Sequence, residues 1–305
     1  MHTNKKAKYM IIDIHWMRLV PEKELKRFPS KVVYGPVVSK RSFYSLGINF
    51  WPDRKVCTFD CRYCHCGKSS TKTEDAISFE AMMDEIERAF QFHAKNNSFV
   101  QDIVVEGNGE PTIYPRFYEA TLRLMELRDR YFPNISLVLY TNSTNLENGK
   151  VIEAILNYDQ AFFKLDSADD GVVKRLDGAK KPVGKIIEGI ALVGALIRTN
   201  RYRLKNFDIS TAVVGSPIGN YDSLLEERFI YAMRMIRPDR IYLYDIDRFS
   251  PGEKYDFRIG QGQLESLAKH IFEKAGVEII ALFSRKGRGV HELSEINALK
   301  AVVAV

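Results

Sequence analysis

The feature that most limits the fold is a regular exchange of two hydrophobic periods along the chain. Short runs rich in branched and aromatic residues read as buried strands: Asp102-Ile-Val-Val-Glu106, Ile135 to Tyr140, Phe162-Phe-Lys-Leu-Asp166, Phe207 to Val214, Arg240-Ile-Tyr-Leu-Tyr-Asp245 and Val277 to Leu282. Longer segments with apolar residues at helical intervals separate them. From Ser78 to Lys95, Phe79, Met82, Met83, Ile86, Phe90 and His93 share one face, with Ser78 as N-cap and Glu80 in the first turn. Further helices are expected over Pro115 to Arg130, Lys150 to Asn157, Val183 to Arg198 and Gln263 to Ala275. A capping box, Ser223-x-x-Glu226, is expected to open another, carrying Leu225, Phe229, Ala232 and Ile236 on one face.

Strands that alternate with helices of ten or more residues demand a parallel sheet of right-handed βαβ units. About six such units curl into part of a barrel, so an α/β fold of partial (β/α)6 TIM-barrel type is expected. Ser45-Leu-Gly-Ile-Asn-Phe50 supplies the first buried strand, Tyr9 to Ile14 a short extra one, Glu22 to Arg27 a helical turn, and Ser294 to Val302 a final helix. Glu110, Asn142, Asp166, Ser216, Asp245 and Asp247 each stand just past an apolar run, at the strand ends where barrel active sites are assembled.

At the end of the Ser45–Phe50 run lies Cys57-Thr-Phe-Asp-Cys61-Arg-Tyr-Cys64, a C-x3-C-x2-C spacing. Three thiolates in eight residues suit three corners of a cubane iron–sulfur cluster, which normally takes four. The fourth iron is then left to bind a small molecule. Zinc is the alternative, but structural zinc sites prefer a second Cys or His pair further along, and none follows. Four cysteines in 305 residues, without an apolar leader behind Met1-His-Thr-Asn-Lys-Lys, do not make a secreted disulfide scaffold. Cys66 is a fourth candidate ligand; its C-x-C spacing from Cys64 suits a loop thiol better, and His65 reads as a loop residue.

Composition places few other limits. With 45% hydrophobic and 28% charged residues, the chain has ample material for a core. No run approaches the roughly 18 apolar residues of a membrane helix, and a cytoplasmic, reducing setting is expected. Forty-five Lys and Arg against 39 Asp and Glu give +6, a modest excess that permits a polyanionic partner. Arg198, Arg201, Arg203 and Lys205, with Arg285, Lys286 and Arg288, form the basic clusters that would track phosphates.

The three-cysteine loop, with Tyr63 before its last cysteine, resembles the signature of the radical S-adenosylmethionine (radical SAM) superfamily. Gly107-Asn-Gly-Glu-Pro-Thr112 resembles that superfamily's Gly-Gly-Glu motif. With Gly35-Pro-Val-Val-Ser-Lys-Arg41 and Ser45-Leu-Gly-Ile-Asn49, the chain is similar to the group containing the wyosine-type tRNA-modifying enzymes and uncharacterised relatives, over about residues 34 to 250. The resemblance implies a core barrel at 34–250, between an N-terminal extension at 1–33 and a C-terminal extension at 251–305 packed on it. It implies a 4Fe-4S cluster on Cys57, Cys61 and Cys64, and S-adenosylmethionine held by Asn108, Gly109 and Glu110 at its methionyl part. Thr141, Asn142 and Asp166 would reach the ribose or carboxylate, and Tyr63 the adenine through its backbone. The implied activity is reductive cleavage of S-adenosylmethionine to a 5′-deoxyadenosyl radical that abstracts hydrogen from substrate. Lacking the flavodoxin-like domain of some wyosine enzymes, the chain is expected to use an external flavodoxin or ferredoxin. RNA such as tRNA is one expected substrate class; a small metabolite, or a partner enzyme activated as a glycyl radical, is the other. No room is seen for extra clusters or, ahead of residue 34, a cobalamin domain.

Overall fold

The computed structural model describes residues 9–13, 25–38, 44–70, 72–73, 76–199, 202–215, 218–246 and 258–283. A single nine-stranded sheet organises them. Its strands are β1 (Tyr9–Asp13), β2 (Val33–Val38), β3 (Tyr44–Ile48), β4 (Asp102–Val105), β5 (Ser136–Thr141), β6 (Gln160–Lys164), β7 (Asn206–Ala212), β8 (Arg240–Tyr244) and β9 (Glu278–Phe283). They lie in the order β1-β9-β8-β7-β6-β5-β4-β3-β2. All neighbours are parallel except β2, which runs antiparallel to β3. The six strands β3 to β8 follow the expected barrel order, and the sheet stays open.

The helices are α1 (Phe79–Lys95), α2 (Phe117–Tyr131), α3 (Gly149–Ile155), α4 (Asp170–Asp177), α5 (Val183–Thr199), α6 (Tyr221–Leu225), α7 (Glu227–Ile236) and α8 (Gln261–Ala275). Their apolar stripes pack on one face of the sheet. Ile103, Leu137, Phe163, Ile209, Ile241 and Ile279 meet the helices in one large core. The alternate residues Val104, Val138, Phe162, Tyr242, Ile280 and Leu282 form a separate cluster on the opposite, inner face. The strand period of two thus divides a helix-covered face from a lining face. At the N-terminal ends of the strands, Arg240 grips Asp208 with Nε at 3.1 Å and Nη2 at 3.0 Å, while Gln160 donates to Asp208 at 2.6 Å. That network floors the inner face.

Several expectations are corrected. The Ser223-x-x-Glu226 capping box does not form: Ser223 lies inside α6, and Glu226 is an extended residue between α6 and α7. The helix starts earlier because the sheet captures Asn220, whose side chain donates to Asp166 and Ala212 carbonyls at 2.6 and 2.8 Å and accepts from Val214 N–H at 2.8 Å. Helix α4, which was not expected from the sequence, is capped by Asp169 and ended by Gly178 at φ 64°. No helical turn covers residues 25–27. Residues 22–24, 39–41, Ser216, Asp247 and the tail helix lie outside the described residues. Past residue 250, α8 and β9 extend the same sheet, and β1 pairs with β9. Among the described residues no helix is long and apolar enough to cross a membrane.

Candidate functional site: a cysteine loop on the sheet edge

The cysteine loop follows β3 and lies over the C-terminal edge of the sheet. Its two ends are tied together: Cys57 N–H donates to Ser70 O at 3.0 Å, and Ser70 N–H to Lys55 O at 3.0 Å. Its middle is tied to the end of α4, where Asp60 N–H and Arg62 N–H donate to the carbonyls of Asp177 at 2.8 Å and Leu176 at 2.9 Å. Gly178 brings α4 this close, since even a Cβ there would stand 3.2 Å from that of Asp60.

A second wall comes from the turn after β4. Glu110 N–H donates to Val56 O at 2.8 Å, and Trp51 Nε1 to Glu110 O at 2.9 Å. Asn49 Oδ1 accepts from the N–H groups of Trp51 and Asn108, both at 3.1 Å. The contact is so close at Gly109 that a Cβ would lie 1.9 Å from Val56 O. That glycine makes room for the cysteine loop's own backbone.

The Glu110 carboxylate is 2% exposed. Its Oε1 accepts from Thr112 Oγ1 at 2.6 Å, Thr112 N–H at 3.1 Å and Thr141 Oγ1 at 2.7 Å, and its Oε2 from Asn142 N–H at 2.6 Å. Burial raises its pKa, while these donors oppose the rise. Asn142 then reaches the loop: its Nδ2 donates to Cys57 Sγ at 3.4 Å and Thr58 Oγ1 at 2.8 Å. Phe59 N–H is a second donor to Cys57 Sγ, also at 3.4 Å. Two N–H groups on one sulfur favour its thiolate form.

A third group lies beneath Cys61. Lys164 on β6 bonds both Asp166 and, at 2.8 Å, Asp177. Asp166 also receives the Tyr63 hydroxyl and, at 3.0 Å, Ala212 N–H. Although burial works against its charge, the two carboxylates hold the Lys164 amine well above its usual range. Tyr63 packs against the buried cluster of Leu176, Ala212, Val214 and Ile246.

The sequence-predicted residues therefore meet in one network about the loop, with an unexpected division of labour. Glu110, Thr141, Asn142 and Asp166 are buried and bonded within the protein, supporting the loop. Asn108, Gly109 and Tyr63 keep partial exposure. Cys66 donates weakly to Asn108 Oδ1 at 3.8 Å and stands 3.6 Å from His65 Nε2, as befits a loop thiol.

Lys55 was not legible in the sequence. Its side chain is 4% exposed, its ammonium donating to Gly67 O at 2.7 Å and pairing with Asp60 Oδ1 at 3.4 Å. Burial would lower its pKa, but the sulfurs of Cys64, Cys61 and Cys57 outweigh that and raise it. Only its place two residues ahead of Cys57 marked it, and charge at that spacing has no periodicity to reveal.

The thiols differ. Burial, with Glu110 adding, pushes Cys57 up to about 11, and burial with Asp177 pushes Cys61 well up. The hydrogen bond from Cys66 instead brings Cys64 down to about 5 and leaves the Cys66 thiol raised. Among the described residues no three His, Cys, Asp or Glu side chains are gathered around a single metal ion. A cubane takes its thiolates at separate corners, one to each iron. Three half-buried cysteines on one loop, N–H donors to sulfur and one buried ammonium fit such a group.

Residues 54–205 match the family model of the radical SAM superfamily. Over 164 residues the chain is 30% identical to a UPF0026 protein of Helicobacter pylori, a match covering 52% of this chain and 50% of that protein. The chain thus spans about half the length of the Helicobacter relatives it matches. A radical SAM methyltransferase from Sphaerobacter thermophilus shares the fold with a TM-score of 0.59 at 14% identity, covering 83% of this chain and 70% of that one. A structure of TYW1 with a lysine–pyruvate adduct bound superposes with a TM-score of 0.52 at 17% identity, covering 76% of this chain and 74% of the other. Through residues 54–205 the chain belongs to the radical SAM superfamily.

Proposed function

We propose that the enzyme binds a 4Fe-4S cluster on Cys57, Cys61 and Cys64 and S-adenosylmethionine beside it, and uses them to start hydrogen abstraction from a substrate on the inner face. The observation that carries this reading is the convergence of the Gly107–Thr112 turn, Asn142 and the Asp166 network on one cysteine loop. When bound, the cluster and cofactor supply a single-electron cleavage of a carbon–sulfur bond and hence a carbon radical. The chain's own residues do the rest. Asn142 and Phe59 N–H steady Cys57, Lys55 offsets the anionic sulfurs, and Glu110 fixes the turn whose half-exposed backbone at Asn108 and Gly109 would meet the methionyl group. An external flavodoxin- or ferredoxin-like reductant is proposed to deliver the electron.

Lys55 gives this reading a direct check. A buried unit charge beside a redox centre is worth on the order of 1 kcal/mol, or on the order of 50 mV for one electron. Lys55→Met is expected to lower the cluster's midpoint potential by about that amount in an EPR-monitored titration, and Lys55→Arg to restore most of it. An unchanged potential in Lys55→Met would remove the electrostatic role.

On substrate, two observations weigh against simple transfer of RNA modification from TYW1. Arg198 lies in the last turn of α5, and Arg203 and Lys205 lead into the N-terminal end of β7, on the sheet edge opposite the cysteine loop. There Arg198 donates to the carbonyls of Ile236 and Arg237, both at 3.3 Å, and Arg203 pairs with Asp159 at 2.9 Å. Arg201 and the cluster of Arg285, Lys286 and Arg288 lie outside the described residues. TYW1 holds a lysine–pyruvate adduct, whereas Lys164 on the inner face here is locked between two carboxylates and offers no neutral amine. These features favour a small metabolite over a polyanion. The experiment is anaerobic reconstitution, then dithionite and S-adenosylmethionine, with 5′-deoxyadenosine and methionine as the expected products; neither forming would overturn the reading.

A further inference from the structure

The cysteine end of the inner face carries a carboxylate that the cysteine-loop network does not use. Glu106 continues β4, with its N–H donating to Ile48 O at 3.1 Å. Two residues after the inner-face Val104, it shares that face by the strand period. Across the sheet, Tyr34 on β2 lies opposite Gly47 on β3, and Gly47 in turn opposite Val104. The phenol ring of Tyr34 fills the space a side chain at Gly47 would need: a Cβ there would stand 2.0 Å from the ring carbon Cζ. So placed, the Tyr34 hydroxyl donates to Glu106 Oε1 at 2.9 Å. Glycine and tyrosine together hold the carboxylate at the cysteine end of the inner face.

Its electrostatic setting is unusual for the site. Lys164, the cation at the cysteine end of the inner face, is already matched by Asp166 and Asp177. Among the described residues no cation pairs with Glu106, although it is half-buried. A carboxylate drawn out of bulk water without a counter-charge favours a ligand that supplies one. On the next strand of the same face Tyr140 stacks on Phe162, ring centroids 4.4 Å apart and 2° from coplanar. That pair offers a flat apolar wall beside the acceptor.

We propose that Glu106, aligned by Tyr34, is a specificity-determining residue that binds a cationic or paired N–H donor group, an ammonium or amidinium, on a substrate with a planar apolar part. The assignment rests on the reading that the inner face receives the substrate, and names the substrate class it selects. Benzamidine, neutral benzamide and benzoate serve as a charge series of one shape. In calorimetric titration of reconstituted protein with S-adenosylmethionine present, benzamidine is expected to bind at least about tenfold more tightly than benzamide, and benzoate most weakly. Glu106→Gln, nearly isosteric, is expected to erase the difference, and Glu106→Asp to keep it. Equal affinities in the wild type, a preference surviving in Glu106→Gln, or its loss in both variants would overturn the proposal. Iron content and 5′-deoxyadenosine yield of the same wild-type protein report separately on the cluster, so that failure of the cluster reading is told apart from failure of this one.

Discussion

Alanine at any one of Cys57, Cys61 or Cys64 is expected to bring the iron of anaerobically reconstituted protein down to background, with loss of the charge-transfer absorbance. The expectation follows from the donor set: with three thiolates on one loop, losing one leaves an iron corner without a protein anchor. Cys66→Ala is the internal control. Its thiol lies against His65 in the loop and Asn108 on the turn after β4, so iron should stay near the wild-type level. Iron at wild-type level in any of the first three variants would mean that the loop is not the ligand set.

Gly109→Ala is expected to be severely destabilising. The added carbon would stand 1.9 Å from Val56 O and 2.8 Å from Trp51 Cδ1, both fixed. Either the turn or the cysteine loop must move, breaking the Glu110 N–H bond to Val56 and the Trp51 bond to Glu110. A loss of about 3–5 kcal/mol is expected, in the range of severe backbone strain with lost buried hydrogen bonds. Gly149→Ala offers the contrast: nothing lies within 4 Å of its Cβ position, at the start of α3, so stability should hold or rise by up to about 1 kcal/mol. Urea titration of both variants measures the difference; equal midpoints would contradict the packing argument.

Much of the fold was legible because it depends on period. The helix-covered strands and long helices, α1 and α5 above all, declare themselves by spacing, and Ser78 caps α1 as expected, accepting from Ala81 N–H at 3.2 Å. What spacing could not show was capture by distant partners. Asn220 is pulled into the sheet by Asp166, Ala212 and Val214, which moves a helix start and defeats a well-formed capping box. The candidate site shows the same limit. The sequence singled out Glu110, Asn142 and Asp166, but not the buried hydrogen bonds by which they tie the strand ends to one another and to the cysteine loop. Lys55, Asp177 and Glu106 gain meaning only from neighbours far along the chain.

The central claim, that three cysteines leave one iron open to S-adenosylmethionine, is tested most directly by EPR of the dithionite-reduced, reconstituted protein with and without the cofactor. The account predicts about four irons per chain and a cubane signal whose g-values shift when S-adenosylmethionine is added. A cubane signal indifferent to the cofactor, or protein that folds fully and holds no iron, would contradict it.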